Sequence, residues 1–262
     1  MSSTWVFDQS HYDALNAARE ETIRRILPDL MQRMNLKTAL DLGCGLGHYA
    51  NVLHSQGFDV LAVDGREENV IEAKRRYPDL RFQIADAQDP SLADLGKFDL
   101  VFCFGLLYHL ENPFSVVRSI SALASKLVLI EGIVYPSPEP VMVLMDENTG
   151  VDQGLNFMAF YPSETCLIKM LRRAGFAHCH NPSRMPAHPE YHKGANGFRR
   201  RTVVAAAKEA IESSLLSTWA DPSPEFSPWS MMPLYPAHRR FTRLYGAVDR
   251  LFVDLKRRAD RH

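Results

Sequence analysis

Three acids, a run of glycines and one histidine stand out by type and spacing. Asp41 closes a short apolar run, and Gly43, Cys44, Gly45 and Gly47 follow it, with glycine at every second position. Such a stretch turns tightly and lets a ligand approach the main chain closely. A helix beginning near Gly47 would add unpaired N–H groups at its start. Asp64-Gly65 comes about 20 residues past the glycine turn, where a mononucleotide-binding half carries the acid that accepts ribose hydroxyls. Its alternative role is to cap a helix starting near Glu67; the spacing favours ribose. Asp86-Ala87 ends another apolar stretch, and His109 offers an imidazole able to move a proton near neutrality.

The elements needed to hold these residues follow from periodicity. Residues 9 to 34 place Tyr12, Leu15, Ile23, Ile26 and Leu27 at helical spacing among charges. Strands are expected at Lys37–Leu42, Phe58–Val63, Arg81–Ala85, Lys97–Phe104 and Lys126–Val134. Helices are expected between them at Gly47–Gln56 and Glu67–Tyr77, and from Pro113 to about Ser125 with Asn112 as N-cap. The last strand of this series is nearly all apolar except Glu131, as suits a parallel strand covered on both faces. Residues 135–161, with three prolines and two glycines, read as an irregular insertion carrying Asn156 and other substrate-side groups. Ser163 caps a further helix ending at Ala174-Gly175, and Phe176–His180 and Arg201–Ala207 form a final antiparallel pair at the sheet edge.

A dinucleotide-binding turn wants G-x-G-x-x-G. Here the spacing is G-x-G-x-G, and His48 falls where the third glycine would stand. Asp41 would repel a pyrophosphate and suits a ligand that carries an ammonium and a sulfonium. The block DLGCGLG, followed by Asp64, Asp86 and the stretch FDLV…GLLYHLENP, resembles the class I (Rossmann-like) S-adenosylmethionine (SAM) dependent methyltransferases over residues 38–207. GLLYHLENP, a later IEG strand and a YPS helix start also resemble a narrower bacterial branch, and more distantly the tRNA wobble-uridine carboxymethyltransferases. No carboxylate-binding lysine of the latter is recognisable, and the NPPY or DPPY signature of enzymes methylating exocyclic base amines is absent.

The resemblance implies an α/β fold: a seven-stranded, mostly parallel Rossmann-like sheet with an antiparallel last strand, helices on both faces, and helical additions at both ends. It divides the chain into a helical lid (1–36), a SAM-binding domain (37–208) with its insertion at 135–161, and a C-terminal extension (209–262). It places the cofactor against Asp41, Gly43, Cys44, Gly45, Gly47, Asp64, Gly65, Asp86, Ala87 and Phe104. Asp86 would meet the adenine amino group. Trp5, Phe7 and Tyr12 would belong to the lid, or else only pack the first helix. Tyr108, Tyr12 and Asn156 are candidate substrate contacts. Glu131 is a weaker one, or a partner for backbone donors at the end of its strand. His109 is the candidate general base, with a structural hydrogen-bonding role as its alternative.

Of the 262 residues, 46% are hydrophobic and 23% charged, enough for one sizeable α/β core with additions. The net charge of -1 sets up no global field for nucleic acid or membrane. Four scattered cysteines read as reduced thiols of a cytoplasmic protein. His178, His180, His188 and His192 match no zinc spacing, so no metal is expected. Residues 241–256 show a wide apolar stripe flanked by Arg and Lys, expected to pack on its own domain, to form a homodimer or to meet an acidic partner.

The leading expectation is an enzyme methylating O or N of a small molecule. The alternatives are a tRNA-modifying carboxymethyltransferase and a catalytically silent SAM-binding partner subunit. A nicotinamide enzyme is disfavoured by Asp41 and the missing third glycine.

Overall fold

The computed structural model describes residues 10–148, 150 and 152–219. Trp5, Phe7 and the amphipathic segment 241–256 lie outside the described residues. The described residues belong to one compact unit.

Helix α1 (Ser10–Met34) leads into β1 (Thr38–Leu42), α2 (His48–Ser55), β2 (Asp59–Asp64), α3 (Glu67–Arg76), β3 (Arg81–Ile84), β4 (Phe98–Phe104), α4 (Pro113–Leu123) and β5 (Ala124–Ile133). Then come β6 (Met142–Asp146), β7 (Met158–Pro162), α5 (Glu164–Arg173), β8 (His178–Pro182), β9 (Arg201–Ala207) and β10 (Leu216–Thr218). The main sheet has the order β10-β8-β9-β5-β4-β1-β2-β3. Strands β3, β2, β1, β4 and β5 pair in parallel, β9 runs antiparallel to β5 and β8, and β10 runs antiparallel to β8.

Alternation along the strands builds two cores. Ala39, Phe102, Leu127, Leu129, Val203 and Ala205 pack with Ile23, Ile26, Leu27 and Leu30 of α1, Leu53 of α2 and Val70 of α3. Leu40, Val101, Cys103, Val128, Ile130 and Val204 face the other way, against Val116, Val117 and Ile120 of α4 and Leu167, Ile168 and Leu171 of α5. The near-continuous apolar run of β5 reflects burial on both faces, as parallel central strands require.

Three local expectations are corrected. The sheet has eight strands, not seven, because Leu216–Thr218, from the expected C-terminal extension, pairs with His180–Pro182. The insertion is not irregular throughout, since β6 and β7 form a separate antiparallel hairpin from Met142↔Pro162 to Asp146↔Met158. Asn112 occupies the N-cap position of α4 without a side-chain cap, and its backbone N–H donates instead to Gln88 Oε1. Ser163 does cap α5, accepting from the Cys166 N–H at 3.1 Å.

Candidate active site

Strand order reverses between β1 and β4, and an open parallel sheet leaves a crevice there, outside the carboxyl ends of its strands. A cavity of about 770 Å³ occupies that position. Its walls come from the turn after β1 (Leu42–Leu46), the tip of β2 (Asp64–Arg66), residues 85–88 after β3 and residues 104–110 after β4. Tyr12, Asn16 and Arg19 of α1 close one side, and Asp152–Leu155 of the β6–β7 connection close another. The Tyr12 hydroxyl donates to Asp152 Oδ2 at 2.9 Å, and Arg66 Nη2 donates to the carbonyls of Gln153 and Gly154, so the two walls are tied to each other and to β2.

Of the residues expected to hold a cofactor, Gly43, Cys44, Gly45, Asp64, Gly65, Asp86, Ala87 and Phe104 line this cavity. Asp64 fixes the turn: its Oδ2 accepts from the Gly45 N–H at 2.9 Å, and its Oδ1 accepts from Arg66 N and Asn69 Nδ2. A carboxylate has about four acceptor positions, so Oδ2 keeps capacity for a ligand donor. Asp86 Oδ1 accepts from the Gln88 N–H at 2.9 Å.

Gly47 and Asp41 are not among the lining residues and serve behind the turn. Gly47 has φ +84°, and a Cβ there would stand 2.8 Å from the Phe82 ring, so this glycine seats α2 against β3. Asp41 is 2% exposed, and its Oδ2 has no hydrogen-bond partner among the described residues. Burial, reinforced by Asp64, pushes its carboxyl up to about 8, against the single backbone N–H of Ala50 that favours the charged form. The ordinary carboxyl of an unfolded chain titrates near 4. As pH rises between those values, the unfolded chain sheds a proton that the folded chain keeps, so this group's contribution to stability falls across that window. Urea unfolding at about pH 5 and about pH 8 should therefore show a smaller decline for Asp41→Asn than for the unaltered protein. Equal declines would mean that Asp41 is ionised in the fold.

The substrate-side candidates separate. Tyr12 and Tyr108 line the cavity, the latter from a short 3-10 turn, Leu107–His109. Asn156 does not: its side chain donates to Glu111 Oε2 at 3.0 Å, outside the lining residues. Glu131 is neither a substrate contact nor a partner for strand-end donors. Fully buried, it accepts from Arg19 Nη2 at 2.6 Å, Tyr191 OH at 2.5 Å and Arg201 Nη1 at 3.2 Å. Arg19 and Arg201 reach the cavity wall from this cluster, and the Arg201 guanidinium stands 5.9 Å from the Tyr108 ring centroid.

His109 lines the cavity, with Nδ1 in a short hydrogen bond to Glu147 Oε1. Sequence reading missed Glu147, Arg19 and Arg201 as parts of the site, while Asp152, expected on the substrate side of the insertion, does line the cavity. Arg19 and Arg201 resemble other surface-helix and strand-end basic residues until the fold brings both to Glu131. Glu147 lies in the insertion, where no spacing rule singles out one acid.

The nearest neighbours of His178 and His180 do not form a metal cluster. Among the described residues, no group of three His, Cys, Asp or Glu is placed to hold a metal ion. No helix among them is long and apolar enough to cross a membrane.

Residues 40–126 match the family model described as a methyltransferase domain. The chain is 27% identical over 158 residues to a tRNA U34 carboxymethyltransferase of Campylobacter jejuni, covering 58% of this chain and 53% of that protein. It is 26% identical over 130 residues to a ubiquinone biosynthesis O-methyltransferase of Bordetella avium, covering 47% and 52%. The chain thus spans about half the length of the curated relatives it matches. Among solved structures, the N-terminal domain of EvdMO1 with S-adenosylhomocysteine (SAH) bound superposes with a TM-score of 0.58 at 21% identity, covering 74% of this chain and 81% of that one. Magnesium protoporphyrin IX methyltransferase from Synechocystis PCC 6803, with bound SAH, gives 0.53 at 18% identity, covering 77% and 88%. At such identities the likeness establishes the fold.

Proposed function

We propose that this chain, which has the Rossmann-like methyltransferase fold, is a SAM-dependent methyltransferase acting on an O or N atom of a small-molecule acceptor. The observation that carries the reading is the convergence of the open glycine turn, Asp64, Asp86 and His109 on one cavity at the switch point of the sheet. The donor set fits the cofactor: Asp64 for ribose hydroxyls, Asp86 for the adenine amine, and bare backbone at Gly43 and Gly45 for the amino-acid end. When bound, SAM supplies an electrophilic methyl group on sulfur and leaves as the neutral thioether.

The protein's own work is alignment, and holding two reactants in line supplies much of the rate in such a displacement. The turn and Asp64 are pre-set, since Gly45 N–H and the Asp64 carboxylate already hold each other. Tyr12 and the 152–155 wall confine the acceptor, and His109 stands on the cavity wall as the group that accepts a proton from an acceptor hydroxyl. A neutral amine needs alignment alone.

The identity to the tRNA U34 carboxymethyltransferase supports a second reading, in which the cofactor is carboxy-SAM and the acceptor a wobble uridine. The narrower bacterial branch suggested by GLLYHLENP, a cytoplasmic setting and a homodimer through residues 241–256 stand with these proposals.

Calorimetry of the full chain with SAM, SAH, carboxy-SAM and NAD tests the assignment. Micromolar SAM and SAH binding with none for NAD is expected. Preference for carboxy-SAM would move the assignment to the second reading, and binding of NAD alone would remove the methyltransferase reading altogether.

A further inference from the structure

The β6–β7 connection does more than wall the cavity. Its first residue, Glu147, is 4% exposed at the side chain, and both of its oxygens are occupied as acceptors. Oε1 meets His109 Nδ1, and Oε2 accepts the Gly154 N–H at 2.9 Å. The loop is keyed to the histidine a second time, because a Cβ on Gly154 would lie 2.3 Å from the His109 carbonyl oxygen. An ionised carboxylate only accepts hydrogen bonds, so the ring nitrogen facing it must be the donor. A neutral imidazole has one N–H and one lone pair, which leaves the lone pair on Nε2. Nε2 makes no hydrogen bond among the described residues, while His109 itself lines the cavity.

We propose that Glu147 is a positioning residue that holds His109 in the Nδ1–H tautomer, so that Nε2 is the nitrogen offered to the acceptor's proton. This rests on the methyltransferase reading above for its purpose, but its geometry stands apart from it. The proton of an acceptor hydroxyl passes to Nε2 while the O–H electron pair stays on oxygen. The imidazolium so formed keeps its Nδ1–H on Glu147, and its Nε2 proton is then lost to water. A histidine side chain without such a partner favours the opposite tautomer, with hydrogen on Nε2. A carboxylate in the Glu147 position therefore changes which nitrogen is basic, not merely how firmly the ring is held.

The test is nitrogen NMR of the full chain labelled with 15N-histidine, free and saturated with SAH, with the His109 signals assigned by their loss in His109→Asn. The unaltered protein should show a pyrrole-type Nδ1 and a pyridine-type Nε2. Glu147→Gln has one acceptor for two donors, Nδ1–H and the Gly154 N–H, and should lower the share of that pattern without abolishing it. Glu147→Leu should lose it in favour of hydrogen on Nε2. A pyridine-type Nδ1 in the unaltered protein, or an unchanged tautomer in Glu147→Leu, overturns the proposal. If Glu147→Leu fails to fold, the unaltered protein and Glu147→Gln decide it between them. Absence of SAH binding would overturn the cofactor assignment alone, since the tautomer is read in the free protein as well.

Discussion

Asp64→Ala is expected to weaken SAH binding by about 100-fold or more while leaving the protein folded. A hydrogen bond to a charged group is worth about 1.5–3 kcal/mol, and a ribose offers two hydroxyl donors to one carboxylate. Their joint loss is about 3–6 kcal/mol, and each 1.4 kcal/mol is about tenfold in affinity. The turn suffers too, because Asp64 Oδ2 is the acceptor that holds the Gly45 N–H, and without it Gly45 is no longer fixed at the cavity wall. Calorimetry reads the affinity and thermal unfolding checks the fold. Binding within about tenfold of the unaltered protein would take the ribose role away from Asp64 and leave it as the clamp on Gly45 and Asn69.

Glu131→Ala should produce the largest loss of stability, about 3–5 kcal/mol, the range for breaking a buried ion pair from one side. Its carboxylate sits at 0% exposure between Arg19 and Arg201, which are themselves 6% and 8% exposed. Burial acts to lower the Arg19 guanidinium, yet Glu131 and the surrounding phenols hold it well above its ordinary value. Burial likewise acts against the charge on Arg201, where Tyr108, Glu131 and Glu190 hold it up. Removing Glu131 leaves Arg19 with Asn16 and the neutral phenols of Tyr191 and Tyr49, and the Tyr191 hydroxyl without its acceptor. Urea unfolding measures the effect, with Glu131→Gln as the milder comparison because its amide oxygen still accepts one bond. A loss below about 1 kcal/mol for Glu131→Ala would show that water reaches and solvates both guanidinium groups once the carboxylate is gone.

The glycine turn and the strand-tip acids around the cavity were legible because their information is local. Asp41 to Gly47, Asp64 and Asp86 each sit at a strand end, and the period of the fold repeats that placement at intervals a single sequence reveals. The substrate side was not, because its contacts join distant parts of the chain. Glu147 meets His109 across 38 residues, Tyr12 meets Asp152 across 140, and Arg19 meets Glu131 across 112. Periodicity carries no signal for such pairs. Asn156 was placed with the substrate because the insertion was read as one irregular loop; the hairpin turns it toward Glu111 instead. Met142–Asp146 does not alternate, since both of its faces are partly exposed, so it lacked the mark by which strands are recognised. Leu216–Thr218 has three residues, too few to show a period.

That short tenth strand bears on how the protein behaves in concentrated solution. Sheet rims are where separate chains join into fibres, and proteins guard them with short strands, charge and proline. One rim here is β3, four residues long with only Phe82 buried, and Arg81 on it is paired with Asp59. The other would be β8, but β10 lies along it for three residues and Pro182 interrupts its ladder. Neither side offers a long, flat, apolar row of unpaired backbone groups. Among the described residues Leu216–Thr218 is the outermost strand beyond β8, so the rim on that side is only three residues long.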